Sequence, residues 1–136
     1  MKDLSFESPR APESLLQGPS EPPQIELNVD INVNRLAENA FEVVLKVFSR
    51  ANGEQGTLFL VDLLYGGIFE LSGIPEDKID SILFVDCPFI LYPFARRVVA
   101  DATRDGGFPP LMLEPIDFHA LYQQNRQNAA ADNNAD

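Results

Sequence analysis

The amino-acid sequence predicts an α+β domain in which a four-stranded antiparallel sheet is followed by C-terminal helices. Two observations predict this class: every segment with strand-like alternation lies before residue 72, and helical periodicity begins only at Pro75. Strands that precede helices along the chain are typical of α+β domains with an antiparallel sheet. The chain has 136 residues, of which 45% are hydrophobic and 23% charged, as expected of one globular domain.

The first strands are predicted from alternation. In residues 1–8, Leu4 and Phe6 alternate with polar residues, which indicates a short strand. Residues 25–34 alternate strictly between apolar and polar side chains, which predicts a strand with one buried and one solvated face. Residues 41–50 have the same alternation on one face and further apolar residues on the other, so both faces are expected to be covered.

The last strand is predicted over residues 57–64, where it is apolar on both faces except at Asp62, and its pattern resumes over residues 68–71. The pair Asn52-Gly53 before it predicts a hairpin turn. The pair Gly66-Gly67 predicts a bulge or bend that interrupts the strand.

The segment between the first two strands is rich in proline. Five of the sixteen residues 9–24 are proline, which predicts an extended crossing segment without regular structure. Loops of this length are uncommon unless they are functional. Leu15 and Leu16 place apolar side chains in the middle of the segment.

The helical part begins at Pro75, a favoured first-turn residue, and a second helix is predicted to end near Arg104, before Gly106-Gly107. Pro115 starts a last short helix. Residues 123–136 contain only Gln, Asn, Arg, Ala and Asp, which predicts a disordered polar tail behind a single domain of residues 1–122.

Charge restricts the partners. Twenty-one acidic and ten basic residues give a net charge of −11 and a pI near 4.3. We therefore expect basic partners, and neither nucleic acid nor direct binding to anionic membranes.

Composition also restricts the chemistry. Cys87 and His119 are the single cysteine and histidine, and no phosphate-binding glycine motif occurs. We therefore predict that the protein is not an enzyme and uses no cofactor or metal. The polar N-terminus resembles no secretory signal, and a lone cysteine suits a reducing cytoplasm, so a cytoplasmic location is expected.

Five stretches carry a family resemblance when they are taken in order. They are Asp3–Pro9 (DLSFESP), Tyr65–Phe69 (YGGIF), Cys87–Arg96 (CPFILYPFAR), Gly107–Leu113 (GFPPLML) and Pro115–Tyr122 (PIDFHALY). Together they resemble the SecB family, the export chaperones of the bacterial Sec pathway. The resemblance implies a cytoplasmic holding chaperone without ATP use, which binds unfolded preproteins, keeps them competent for translocation and delivers them to the SecA motor. It also implies a homotetramer, a dimer of dimers, with helices between the sheets, and docking of the basic, zinc-carrying C-terminal tail of SecA.

An acidic docking surface for SecA is predicted at three positions that match the family's acidic motif: Asp3, Glu7 and Asp62. Residues two apart on a strand share one face, which places Asp3 and Glu7 together. Carboxylates on one face concentrate negative potential and speed the capture of a basic tail. An ordinary solvated strand face is the alternative interpretation of these residues.

A client-binding groove is predicted where the crossing segment lies over the next strand and the last helix closes the space. An elongated apolar groove can accept extended segments of an unfolded chain. The predicted groove residues are Leu15, Leu16, Ile25, Leu27, Val29, Phe118, Leu121 and Tyr122. The alternative is that these side chains are ordinary core residues.

An oligomer interface is predicted because the second apolar faces of two strands have no partner within one chain. The interface residues assigned from the strands and the second helix are Phe48, Val61, Leu63, Tyr65, Tyr92, Phe94, Val98 and Val99. Packing of the same residues in a helix-covered core is the alternative.

Three other functions stay open at this point. A chaperone of the same family could be dedicated to a single partner, such as an antitoxin. A small-ligand binding oligomer or enzyme would use the groove as its pocket, although the single histidine counts against catalysis. A purely structural oligomer would bind no unfolded chains.

Overall fold

The computed structural model describes residues 1–17 and 21–134 and contains a four-stranded antiparallel sheet with helices on one face. The predicted fold class is confirmed. The strands are β1 (Asp3–Glu7), β2 (Gln24–Arg35), β3 (Ala40–Gly53) and β4 (Gly56–Glu70), and the helices are α1 (Glu13–Gln17), α2 (Glu76–Ser81), α3 (Cys87–Asp105) and α4 (Phe118–Asn134). The strand order is β1-β4-β3-β2, so β1 and β2 form the edges of the sheet.

The core lies between the sheet and α3. Odd-numbered residues of β2, of β3 up to Ala51 and of β4 from Phe59 share one face because their partners in the register are also odd-numbered, and Leu4 and Phe6 of β1 join that face. Its buried centre comprises Val43, Leu45, Val47, Val61 and Leu63 of the sheet with Leu91, Ala95 and Val99 of α3. Even-numbered residues of the same stretches form the opposite face, which we call the open face.

The β3–β4 hairpin turns later than predicted. Asn52 and Gly53 belong to β3, and the two loop residues are Glu54 and Gln55. Gly56, with a φ of +120°, closes the turn in a conformation that favours glycine. The prediction of a turn at Asn52-Gly53 is therefore wrong by two residues, although the hairpin itself is present.

The prediction that Gly66-Gly67 interrupts the last strand is also wrong, because β4 is continuous through both glycines. The register irregularity lies instead at the hairpin end, between Ala51 and Asn52. Gly67 makes room for α3: a Cβ there would lie 2.9 Å from Cδ2 of Leu91. The missing side chain thus serves close packing rather than a bend.

The helical part is continuous from Glu76 to Asp105. A π-helical segment, Ile82–Asp86, joins α2 to α3, so the predicted break before the second helix is absent. Pro88 has no N–H to donate to a carbonyl of the preceding turn, and the π-helical segment with its wider hydrogen-bond spacing ends immediately before Cys87-Pro88.

The crossing segment contains one regular element that was not predicted, the single-turn helix α1. The N–H of Ser14 donates to the carbonyl of Arg10 at 3.0 Å, and that of Leu15 donates to the carbonyl of Pro12 at 3.0 Å. Proline at the start of a helix costs no hydrogen bond, which explains how a helical turn follows Pro12. Residues 18–20 of the crossing segment lie outside the described residues.

The last helix differs from prediction at both ends. It begins at Phe118 rather than Pro115, because Asp117 caps it: Oδ1 of Asp117 accepts the N–H of Ala120 at 3.1 Å. It then continues to Asn134, whereas a disordered tail was predicted from residue 123. Alanine, glutamine and arginine are good helix formers, which favours a helix in this polar sequence. Residues 135 and 136 lie outside the described part, and the domain boundary at residue 122 stays a prediction.

Gly106, just after α3, allows β1 to pack against the end of that helix. A Cβ at Gly106 would collide with the ring of Phe6. The backbone of Gly106 has a φ of −78°, which alanine adopts without strain, so alanine would act only by displacing the ring.

We expect Gly106→Ala to lower the free energy of unfolding by about 1–3 kcal/mol, the usual cost of overpacking. The measurement is denaturant unfolding of Gly106→Ala, Phe6→Ala and the double variant. If the collision with the Phe6 ring causes the destabilisation, Gly106→Ala should lower the free energy of unfolding only slightly in a chain that already carries Phe6→Ala. An unchanged cost in the double variant would contradict this explanation.

Candidate functional site

The structure brings the three predicted acidic residues together on the open face. Ser5 is paired with Asp62 across the β1–β4 ladder, and Asp3 and Glu7 flank Ser5 on the same face of β1. All three carboxylates are exposed, and no Lys or Arg of the described residues lies within salt-bridge distance of them. Their charges therefore face solvent without an internal partner, and we call this set the acidic surface.

The open face continues beyond the acidic surface onto β3 and β2. A shallow cavity of about 320 Å³ there is lined by Asn28, Asp30, Lys46, Phe48 and Asp62. Arg50 lies over the ring of Phe48, with its Cζ 5.7 Å from the ring centroid. Lys46 and Arg50 thus interrupt the negative charge along β3. Sequence reasoning missed this pattern, although the even-numbered spacing of these residues could have revealed it.

An apolar groove of about 320 Å³ lies on the helix side of the sheet, at the hairpin end. Its walls come from the crossing segment, the sheet and the segment after α3. The lining residues are Ser14, Leu15, Pro23, Ile25, Leu58, Phe59, Gly107, Phe108, Pro109, Pro110 and Leu111. Nearly all of these side chains are apolar, so the groove can bury apolar groups from another chain.

An aromatic cluster supports the floor of the groove. The ring centroids of Phe59 and Phe108 are 5.0 Å apart, and Phe6 stacks on Phe59 at 5.9 Å. Gly107, with a φ of +95°, lies against Leu15: a Cβ at Gly107 would be 3.0 Å from Cδ2 of that leucine. The glycine therefore lets α1 approach the segment after α3.

Hydrogen bonds hold the wall formed by residues 108–114 in place. The buried hydroxyl of Thr103 accepts the N–H of Leu111 at 2.9 Å, and the N–H of Phe108 donates to the carbonyl of Thr103 at 3.0 Å. The hydroxyl of Tyr92 donates to the carbonyl of Glu114 at 2.6 Å. The proline-rich wall is thereby tied to α3 at three points.

The structure brings together only some of the residues predicted for the client groove. Leu15 and Ile25 line the apolar groove, and Leu27 and Val29 continue along the same face of β2, where Leu27 is exposed and Val29 packs on the core. Leu16, although 83% exposed, is not among the lining residues. The missed lining residues after α3 follow a Gly-Gly pair and contain Pro109-Pro110, which is the signal that could have found them.

The residues assigned to the groove from the last helix lie elsewhere. Phe118 is only 3% exposed and meets the ring of Tyr92 edge-on at 5.6 Å, so it is a core residue. Tyr122 stacks on Phe84 at 6.0 Å, and Leu121 packs against the core. The prediction that Phe118, Leu121 and Tyr122 close the groove is wrong, because α4 packs on the π-helical segment.

The predicted oligomer interface also needs correction. Val61, Leu63, Tyr92 and Val99 are buried within one chain and present no surface to another. Phe48 lies on the open face, opposite the other strand residues of the set. Because β4 is apolar on both sides around these positions, its sequence could not show which face carries Val61 and Leu63.

Two of the predicted interface residues, Phe94 and Val98, lie at the surface of α3. Phe94 is 48% exposed and stacks on Tyr65 at 6.3 Å, and Val98 is half-buried. Phe89 and Ile90, which were not predicted, are exposed on the same helix one turn before Pro93 and Phe94. Spacings of three and four residues place these side chains on one apolar stripe.

The single cysteine, Cys87, is buried at the start of α3. Burial, and to a lesser degree Asp86, raises the pKa of the Cys87 thiol to about 11, so the thiol is protonated at neutral pH. In residues 1–17 and 21–134, no three His, Cys, Asp or Glu side chains form a group that could hold a metal ion. None of the helices described is long and apolar enough to cross a membrane.

The fold is that of a SecB-like chaperone. A Mycobacterium tuberculosis SecB-like chaperone, solved in complex with a ChAD peptide from the HigA1 antitoxin, superposes with a TM-score of 0.67. The superposition covers 85% of this chain and 84% of that chain, at 23% sequence identity.

Sequence comparison identifies the family. The model of the SecB family, described as preprotein translocase subunit SecB, matches residues 1–129. The protein-export protein SecB of Mesorhizobium japonicum is 52% identical to this chain, and the match covers 91% of this chain and 74% of that protein. The protein-export protein SecB of a Bradyrhizobium species is 47% identical, and the match covers 96% of this chain and 80% of that protein. The chain belongs to the SecB family of protein-export chaperones, which confirms the resemblance of the five motifs.

Proposed function

We propose that the chain is a holding chaperone that uses no ATP, binds unfolded precursor proteins in the apolar groove and delivers them to SecA through the acidic surface. One observation carries the proposal: an apolar groove and an unpaired acidic surface lie on opposite sides of one sheet. A client and a basic partner can therefore be bound at the same time without overlap.

Apolar contacts suit a client of variable sequence. Burial of apolar surface contributes roughly 25 cal/mol per Å² and needs no particular side chain. The edge strand β2 begins beside the groove at Ile25, and its free backbone groups can pair with an extended segment. Several such weak contacts along one unfolded chain add up to tight binding.

The same proposal includes a cytoplasmic homotetramer, built as a dimer of dimers. The exposed stripe of Phe89, Ile90 and Phe94 on α3 supports an interface between helices, since an apolar stripe of this kind is unfavourable in water. In a tetramer the formal charge would be 4 × −11 = −44, which strengthens attraction to a basic tail of SecA.

The experiment that tests the holding function is refolding of a denatured export precursor with and without this protein, in the absence of nucleotide. We expect near-stoichiometric amounts to slow refolding and to retain the precursor in a complex, because the groove competes for apolar segments needed in the client's own core. Unaffected refolding of several unrelated precursors would contradict a general holding function.

A chaperone dedicated to one partner is the second candidate. It is favoured by the structural neighbour, which is a SecB-like chaperone bound to an antitoxin peptide. The two candidates differ in breadth: a dedicated chaperone holds one client and ignores most unrelated unfolded proteins in the same assay. The relatives named for protein export favour the general function.

A further inference from the structure

We propose that Lys2 acts as an internal competitor of the basic docking partner by occupying Glu42, and so confines docking to the carboxylates of β1 and β4. The inference rests on the proposed function of the acidic surface. It assigns a role in docking specificity to a lysine that sequence reasoning did not single out.

The contact itself is short and well placed. Nζ of Lys2 lies 2.9 Å from Oε2 of Glu42, and the side-chain amide of Asn34 donates to the other carboxylate oxygen at 3.3 Å. The hydrogen bond from Lys2, and to a lesser degree that from Asn34, lowers the pKa of Glu42. The carboxyl group is therefore ionised at neutral pH. Both oxygens of Glu42 therefore already have a partner within the chain.

Glu42 lies on the same face as the acidic surface. It is an even-numbered residue of β3 paired with Ile68 of β4, whereas Asp62 is an even-numbered residue of β4. A basic segment that crosses the open face could therefore reach Glu42 as well as Asp3 and Asp62. Glu42 has a salt bridge, to Lys2, whereas Asp3 and Asp62 have none with described residues.

The path of Lys2 explains how a residue next to β1 reaches β3. The N–H of Lys2 donates to the carbonyl of Leu64 at 2.8 Å, which fixes the start of the side chain beside β4. The side chain then passes Gly66, where a Cβ would lie 3.4 Å from Cδ of Lys2 and 3.2 Å from Cγ2 of Val44. Because Gly66 has no side chain, the lysine can cross β4 and reach Glu42.

The test measures binding of a short lysine-rich peptide without aromatic residues to the full chain at low salt. Lys2→Ala is compared with Lys78→Ala, a matched control that removes the same charge from an exposed position on α2. We expect Lys2→Ala to tighten binding about two- to fivefold more than the control, the range of one exposed ion pair. The difference should vanish at about 1 M salt, where the Debye length falls to about 3 Å.

A double-mutant cycle with Glu42→Gln separates competition from a purely structural role. Freed Glu42 should contribute to peptide binding only when Lys2 is absent, so Glu42→Gln should cancel the gain of Lys2→Ala and have little effect alone. Equal peptide affinities of Lys2→Ala and Lys78→Ala would overturn the inference. The proposed function fails separately, if neutralising Asp3, Glu7 and Asp62 leaves peptide binding unchanged in both the original chain and Lys2→Ala.

Discussion

Replacing Leu15 by aspartate is expected to weaken the binding of an unfolded precursor by about 10- to 100-fold, the loss that follows when one buried leucine contact is removed. Leu15 lines the apolar groove and is 45% exposed, so its side chain is available to a client. A carboxylate at this position would have to lose its hydration when the client covers it, which costs further free energy.

The neighbouring Leu16 provides the matched control. It has the same side chain, belongs to the same helix α1 and is 83% exposed, but it does not line the groove. Leu16→Asp should therefore leave client affinity nearly unchanged while altering net charge equally. The measurement is a fluorescence anisotropy titration of a labelled unfolded precursor, with thermal unfolding of both variants as a check on folding. Equal weakening by both substitutions would exclude the groove as the client site.

Neutralising the acidic surface should abolish most of the attraction for a basic docking peptide. We expect the combined variant Asp3→Asn, Glu7→Gln and Asp62→Asn to bind the peptide about 10- to 100-fold more weakly at low salt, from three exposed charges that each contribute up to about 1 kcal/mol. These carboxylates have no salt bridge within the part of the chain that the structure describes, so each is available to pair with the partner.

The control for this variant removes three charges elsewhere. Glu76→Gln, Asp77→Asn and Asp80→Asn change exposed carboxylates on α2, on the opposite side of the sheet from the open face. Titrations at increasing ionic strength distinguish the acidic surface from the apolar groove. Salt should weaken peptide docking at the acidic surface strongly and client binding in the groove much less, because salt screens charges but does not weaken apolar burial. Docking that is insensitive to salt would contradict an electrostatic surface.

Local patterns predicted the sheet well because alternating apolar and polar residues indicate directly which face of a strand is buried and which is solvated. The strict period of residues 25–34 located β2 to within a residue at each end, and the same rule placed Asp3 and Glu7 on one face. Asp62 is the one charge in the apolar stretch of residues 57–64, and the register pairs it with Ser5, the residue between Asp3 and Glu7. The predicted acidic set is therefore correct in its geometry, and its role in docking stays a proposal.

Patterns were less informative where both sides of an element are apolar. Val61 and Leu63 were assigned to a subunit interface because alternation could not show which face of β4 the helices cover. Phe118 and Tyr122 were assigned to the groove because helical spacing gives the side that is apolar, but not the neighbour that it contacts. α4 packs on the π-helical segment through Tyr122 and on α3 through Phe118, and both neighbours are distant in sequence.

The sequence by itself determined the fold class, the antiparallel sheet, the family and the shared face of Asp3 and Glu7, whereas the register of the folded sheet added Asp62 to that face. The features that the sequence determined follow from residue type, period and motif order, which are properties of short stretches of chain. Only the tertiary structure decided that Leu15, Ile25 and Phe108 meet in one groove, and that Lys2 crosses Gly66 to reach Glu42. Such contacts join residues that are 10 to 93 positions apart, so they depend on strand order and on where glycines let elements approach, and no local pattern encodes them.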